Sequence, residues 1–441
     1  MMFKVEYKYS ACIKIVTDDA KILCDPWFGS SAYSGTWHQY PPVQDKIGLI
    51  GDFDIIYISH IHPDHYCSET IADLLSHYGC KNILVADWGQ HPNYLAKKIA
   101  SDGFGDNLII SNEITFGDTS VKILPNNTGS ASDIDSALIV SSKKSKKAVL
   151  NVNDCIYNDS FYGKINEVKI QDGLEFTLFC LGYTGAGPYP QTYYSPILEN
   201  EKMLDLANKK KQQFFDRYLK AISKIESVKR LPFAGKYVLK GDLAILNQYR
   251  GVADALDVKQ IDKDAIVLDD GGDSYFDLES IKCSSERQDR YPLINSFPAD
   301  NDYDWRTNVG FNPNPTLLKR LLYKSVSNAH PRSECDQDCL WSIYAYDSPS
   351  FIVDLWSYQE PWRLIEPLIT FNCNKNSDAR AISSKPVCHS HLFIESKALF
   401  AVLTGVSHWN NYEVGSVFQV RRVPDVFMGE MQRYLNFLSV I

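Results

Sequence analysis

Residues 54–75 read DIIYISHIHPDHYCSETIADLL, and the six positions 60–65 hold His60, His62, Asp64 and His65. The chain has only 10 histidines in 441 residues, so three of them in one short stretch call for a chemical reason. Imidazole and carboxylate are ligands for zinc, iron and manganese. In a strand, residues two apart face the same way, so His60 and His62 at a strand's end project together. Asp64 and His65 follow where the pattern turns helical, and Pro63 ends the strand and fixes the turn. Four ligand-type groups therefore converge on one point. Surface or helix-capping polarity explains a lone histidine. It does not explain H-x-H-x-D-H directly behind a buried strand, and the cluster reads as a metal site.

The elements around it must hold that point still. FKVEY, CIKIVT and AKILCD read as short strands separated by polar turns, and DIIYIS as a buried strand. SETIADLLSHYG is a helix closed by Gly79, NILVAD a further strand and NYLAKKIASDG a further helix. LIIS, EITFGD, SVKILP, SALIVSS and AVLNVND continue as strands. Hairpins mixed with β-helix-β units predict two sheets with outer helices. Residues 199–229 are strongly helical, and the basic cluster KKKQQ reads as a solvated face. RLPFAGKYVL returns to a strand and GDLAILNQYRGVADAL to a helix. A polar, Pro-containing stretch near residue 285 reads as a boundary. Beyond it, TLLKRLLYKSVSNA and VFMGEMQRYLNFLSV read as helices, and PSFIVDLW, LITFNC and HLFIES as strands.

Bulk properties narrow the classes. A prior of about 150 residues per domain suggests two or three units. The chain is 44% hydrophobic and 22% charged, as in soluble globular proteins. A net charge of −9 argues against a nucleic-acid binder. No uncharged apolar run of about 18 residues occurs and no signal peptide is read, so no membrane association is expected. Eleven cysteines, scattered and mostly in apolar segments (Cys24, Cys155, Cys180), fit a reducing cytoplasm. The CDQDC spacing of Cys335 and Cys339 can serve a metal, but no second Cys/His pair adjoins it, and no zinc site is assigned there.

SHIHPDH, in its strand–loop–helix context, resembles the motif of the metallo-β-lactamase fold superfamily. The resemblance implies an α/β fold, an αββα sandwich over residues 1–285, with an additional α+β domain over 286–441 packing on or near the active site. It implies two divalent ions, zinc or iron with manganese the third candidate. His60 and His62 would hold the first, Asp64 and His65 the second. The bridging aspartate should end a later strand, and VLNVNDC places Asp154 there. Over residues 10–245 the chain further resembles the catalytic part of CMP-N-acetylneuraminate hydroxylase and its bacterial relatives. CDPWFGSSAYSGTWHQYPP, DIDSALIV, GAGPYPQTYY and LPFAGKYV carry that likeness in order. That hydroxylase has a Rieske iron–sulfur domain. This chain has no Cys-x-His pair for one, so electrons would need a separate donor protein.

The pattern also departs from the superfamily, which adds two later histidines, whereas no histidine lies between His91 and His330. Asp133 or Asp135 in SASDIDSALIV can replace the first as a ligand, and Asp135 can instead orient a histidine. Tyr183, a water or His408 can stand in for the second. Carboxylate in place of imidazole tilts a site from zinc toward iron or manganese. Substrate contacts are expected from Trp27 and Trp37, which can stack on a sugar or base or simply pack under their loop, and from His38 beside them. Gly187 in GYTGAGPYPQTYY can offer backbone N–H to an anion. Lys236 can meet a phosphate, and His408 sits in a sugar-binding type of stretch. Three functions stay open. One is a hydrolase in which Asp64 and Asp154 serve a metal-bound hydroxide acting on a small polar molecule, such as a nucleotide-linked or phosphorylated sugar. The second is an iron-dependent oxygenase, and the third a non-catalytic binding protein on this scaffold.

Overall fold

The structure is a computed structural model that describes residues 2–130, 133–155, 157–185, 187–235, 237–292, 303–348 and 350–441. Alternation builds its first sheet. Phe3, Val5 and Tyr7 of the strand Phe3–Tyr9 are buried on one face, while Lys4 and Glu6 on the other are partly exposed. That strand pairs antiparallel with Cys12–Thr17, which pairs antiparallel with Lys21–Cys24. Lys21–Cys24, Ile55–Tyr57, Asn82–Val85 and Leu108–Ile110 then run parallel. Tyr275–Asp277 and Lys282–Cys283 complete the eight strands on the far side of Phe3–Tyr9.

The second sheet has six strands in the order Lys229–Phe233, Glu175–Gly182, Lys147–Asn151, Ser136–Ser142, Thr119–Pro125, Glu113–Phe116. The first three run parallel to one another. The two sheets face each other across a core that joins Val5, Ile13, Ile22 and Tyr57 to Ile123, Val140, Val149 and Leu178. Ser68–Tyr78 and Tyr94–Ile99 cover the outside of the first sheet, setting Ile71, Leu74 and Ile99 against Ile56, Ile58 and Ile83. Asp159–Asp172 and Asn200–Lys224 cover the second, setting Phe161, Ile165 and Tyr218 against Ile139, Leu150 and Phe179. These are the four layers of an αββα sandwich. The parallel strands of both sheets end at one edge, where open α/β sheets bind ligands.

A further unit follows, built on the strand order Ile369–Asn372, Cys339–Tyr346, Cys388–Glu395, Gln419–Val423. Its interior is continuous with the first sheet's outer core. One cluster of buried side chains runs from Trp27, Trp37 and Ile56 to Leu318, Trp341 and Leu399.

Two expectations differ from the structure, and one strand carries no expectation. PSFIVDLW contains the helix Phe351–Ser357, because Ile352, Leu355 and Trp356 are spaced to bury one helical side. CLWSIYAY, unread in the sequence, is the central strand Cys339–Tyr346. The basic run of Asn200–Lys224 is not wholly solvated: Lys210 is buried, and its Nζ donates to the carbonyls of Gly187 and Tyr189 at 3.1 and 3.0 Å.

Candidate metal centre

The strand Ile55–Tyr57 ends in Ile58 and Ser59, and the next seven residues carry the cluster. His60 and His65 are 1% exposed and Asp64 is 7% exposed. The turn His62–Tyr66 closes on backbone bonds from His65 N and Tyr66 N to His62 O, at 3.0 and 2.8 Å. It brings His60 Nε2 to 2.8 Å from His62 Nδ1. His65 Nε2 lies 3.8 Å from Asp64 Oδ2 and 3.3 Å from Asp154 Oδ1. His60 Nε2 lies 3.9 Å from the same Asp154 oxygen.

Asp154 arrives from the other sheet. Asn153, in the left-handed region at φ 58°, reverses the chain after Lys147–Asn151, and its Nδ2 donates to Ser136 O at 3.0 Å. The neighbouring strand Glu175–Gly182 passes so close that a Cβ on Gly182 would meet Asp154 Cα at 2.8 Å, so only glycine fits there. Ser136 ties the halves together: its Oγ donates to Ser59 O at 2.8 Å and lies 2.9 Å from the Tyr57 hydroxyl.

The far sides of the imidazoles are also held. Asp25, at the end of Lys21–Cys24, stands in the left-handed region at φ 44°. Its Oδ1 accepts from Ser59 N at 2.8 Å, and its Oδ2 accepts from Ser59 Oγ at 2.7 Å and pairs with His65 Nδ1 at 3.0 Å. His65 thus presents Nε2 to the cluster. The Tyr33 hydroxyl donates to Asp64 Oδ1 at 2.9 Å, which leaves Oδ2 turned to His65.

The electrostatics are those of a crowded cation site. Burial lowers the His65 basicity, but Asp154, Asp64 and Asp25 outweigh it and hold His65 well above the usual imidazole value. Burial and the neighbouring His65 and His62 push His60 well below it. Burial and Asp154 raise the Asp64 and Asp135 carboxyls. Burial also opposes ionisation of Asp154, yet His65, His60 and His62 hold its carboxyl below the usual range. Single ligand atoms of His60, Asp135 and Cys155 lie within 4.8 Å of one another, as do those of His60, His65 and Asp154. The donor set fits a divalent cation. Three carboxylates face three imidazoles, and two imidazole nitrogens that point at each other share at most one proton, which a cation replaces with two bonds.

Residues 4–139 match the sequence profile of the β-lactamase superfamily domain. The chain carries a domain of the metallo-β-lactamase fold. Among curated proteins, it is 28% identical over 226 residues to a protein of Mycolicibacterium smegmatis named as a Rieske 2Fe-2S iron–sulfur protein, covering 48% of this chain and 40% of that one. It is 24% identical over 241 residues to the cytidine monophosphate-N-acetylneuraminic acid hydroxylase of Mus musculus, covering 53% of this chain and 39% of that one. The chain therefore spans well under half the length of either relative. Among solved structures it is similar to a variant of the CmlA β-hydroxylase (17% identity, TM-score 0.37, 53% of this chain and 46% of that one). It is also similar to the metallo hydrolase Igni18 of Ignicoccus hospitalis (14% identity, TM-score 0.39, 63% and 99%). No helix among the described residues is long and apolar enough to cross a membrane.

Within this metallo-β-lactamase-fold domain, His60, His62, Asp64, His65, Asp135 and Asp154 come together. Asp133 does not join them. Its carboxylate accepts from Thr128 N and Oγ1 at 2.6 and 2.8 Å and from Ser130 N at 3.1 Å, closing a local turn. Trp37 is packed flat on Tyr237, ring centroids 3.3 Å apart, and Trp27 is buried edge-on to Tyr9, so both face protein. His38 holds its own loop, its ring nitrogens at the carbonyls of Ser30 and Gly35. Tyr183 is buried on the side of Asp270 and Asp254, which raise its phenol along with burial. Gly187, at φ 135°, gives its carbonyl to Lys210 and Gln191. Lys236 lies outside the described residues. His408 caps the helix Trp409–Val414, accepting from Asn410 N at 3.2 Å.

Asp25, Tyr33, Ser136 and Cys155 were not singled out from the sequence. Asp25 had a signal: an acid ending the strand parallel to the histidine strand, in CDPWFG. Tyr33 and Ser136 act across long sequence separations and had none.

Proposed function

We propose that the chain is a non-haem iron oxygenase that hydroxylates a small polar molecule. One observation carries the reading: a carboxylate, Asp135, stands beside His60, with their ligand atoms within 4.8 Å of each other. With His62 Nδ1 2.8 Å from His60 Nε2, an ion held by His60, His62 and Asp135 would have the two-histidine, one-carboxylate donor combination of non-haem iron oxygenases. Asp64 and His65 would hold a second ion, with Asp154 between the two. Such a centre, when loaded, supplies dioxygen activation next to the substrate. The protein's own part is orientation and exclusion. Asp25 fixes the His65 ring, Tyr33 fixes Asp64, and the burial of His60, Asp64 and His65 limits contact with solvent. An electron-transfer group would deliver the electrons, as the Rieske and hydroxylase names of the relatives suggest.

A hydrolase is the second reading. Asp154 Oδ1 stands within 4 Å of both His60 and His65, so it would share the holding of a cation with them, and such a cation would supply the bound hydroxide that hydrolysis needs.

The test is the metal content and visible spectrum of the protein purified from its native host, with dioxygen uptake measured alongside. Bound iron with a visible absorption band and reductant-dependent dioxygen uptake is the expected result. Two zinc ions per chain and a colourless protein would overturn the oxygenase and leave hydrolysis.

A further inference from the structure

Away from the metal cluster, a crevice opens where the segment Tyr189–Lys202 meets the edge strand Gln419–Val423. It has two lobes of about 300 and 590 Å³, which share Tyr193, Tyr194, Arg422 and Asp425. Aromatic rings rim it: Tyr189, Tyr358 and Phe427 are 37%, 52% and 63% exposed. Exposed rings grouped around a cavity are an unusual use of surface and mark a binding site.

Lys202, Arg422, Glu199 and Asp425 are cross-paired in the crevice, and Glu413 accepts from the Tyr193 hydroxyl at 2.6 Å instead. Lys202 contacts Glu199 and Asp425, at 3.1 and 3.4 Å. Arg422 Nη2 contacts Asp425 at 3.2 Å, and its guanidinium lies over the Tyr193 ring at 4.6 Å. Asp425 also accepts from the Tyr194 hydroxyl at 2.8 Å. Arg421 is the cation without a carboxylate. It is 8% exposed, its Nη1 donates only to the carbonyl of Val420, and its Nη2 has no hydrogen-bond partner among the described residues. Burial draws its basicity down to about 10, against a weak opposing pull from Glu199. The strand register sets Arg421 opposite His391, and the Trp362 ring lies flat on the His391 ring, centroids 4.5 Å apart. A buried guanidinium without a carboxylate is costly, and an anion settling against it would offset that cost.

We infer that this crevice is a binding site for a small aromatic anion, its phosphate or carboxylate on Arg421 and its planar ring among Tyr358, Trp362 and Tyr194. Guanidinium recognises both oxyanions in the same fork geometry, and the aromatic wall demands the ring. The site is independent of the metal reading, since none of its groups belongs to the cluster.

The test is calorimetric titration of the full chain after chelator treatment, so that a failure of the metal reading does not touch it. Four probes separate the components: uridine 5′-monophosphate, 4-hydroxybenzoate, uridine and inorganic phosphate. One site per chain is expected for at least one of the two ring-bearing anions, with uridine and inorganic phosphate weaker by about tenfold or more. The better anion identifies the oxyanion. Arg421→Gln should weaken that probe by about tenfold while leaving uridine unchanged. Tyr358→Ala, at an exposed position that the fold does not need, should weaken every ring-bearing probe. No saturable binding of either anion overturns the inference, as does unchanged affinity in a folded Arg421→Gln. Should Arg421→Gln fail to fold, unchanged affinity in Tyr358→Ala overturns it equally.

Discussion

Asp25 Oδ2 and His65 Nδ1 stand 3.0 Å apart, buried at 0% and 1% exposure, and join the ends of two parallel strands through one side-chain contact. The contact leaves His65 a single nitrogen, Nε2, for Asp64, Asp154 and an ion. It also explains the left-handed backbone at Asp25, a conformation that costs energy and persists because Ser59 N, Ser59 Oγ and His65 all bind the carboxylate.

Asp25→Ala should therefore lower metal affinity by about 10–100-fold, the usual effect of removing the group behind a ligating histidine. Competition against a calibrated chelator measures it, with circular dichroism to show that the fold survives. Unchanged affinity would mean that packing alone orients His65.

Asp135→His should move the bound metal toward zinc, because imidazole replaces a hard oxygen donor. Asp133→Asn should leave metal content unchanged, since the Asp133 carboxylate is occupied by Thr128 and Ser130. Elemental analysis of both variants, purified side by side, decides between the two aspartates.

Trp37→Ala should destabilise the chain by about 3–5 kcal/mol, the range for deleting a large buried aromatic. Trp37 is 2% exposed and is stacked on Tyr237 at an interplanar angle of 4°. Denaturant unfolding measures the loss. A cost below about 1 kcal/mol would instead fit a ring held open for a ligand, the other of the two roles its sequence context allows.

Glu6 sets an acid limit. Burial raises its carboxyl, but hydrogen bonds and charges from Lys4, Lys8 and Lys14 outweigh burial and hold it at about 2, against an ordinary 4.5. With the folded value depressed, its stabilisation is complete above about 4.5 and is lost as pH falls toward 2. Melting curves of the native protein and Glu6→Gln should differ most above pH 5 and converge near pH 2. A constant gap across that window would sink the assignment.

Much of the sandwich and half of the centre were legible in the sequence, for physical reasons. Alternating patterns in FKVEY and CIKIVT and the turn chemistry between them act locally, so strand identity followed. His60, His62, Asp64 and His65 lie within six residues, so their convergence followed from strand and turn geometry alone. The contributions of Tyr33 and Ser136 depend on contacts over 31 and 77 residues of separation, which no local pattern encodes, whereas Asp25 ends a legible strand. PSFIVDLW misled because a short apolar run is ambiguous between strand and helix. CLWSIYAY went unread because a central strand buried on both faces shows no alternation.

The unbroken interior that links Trp27 and Ile56 to Trp341 and Leu399 has a consequence for how the chain behaves as a material. Two halves that share a core cannot melt separately, so heating should give one cooperative transition rather than two. A chain cut at the polar stretch near residue 285 would leave each part with an apolar wound, prone to aggregate. Whatever the C-terminal unit adds to recognition, it and the metal-bearing layers stand or fall as one inherited object.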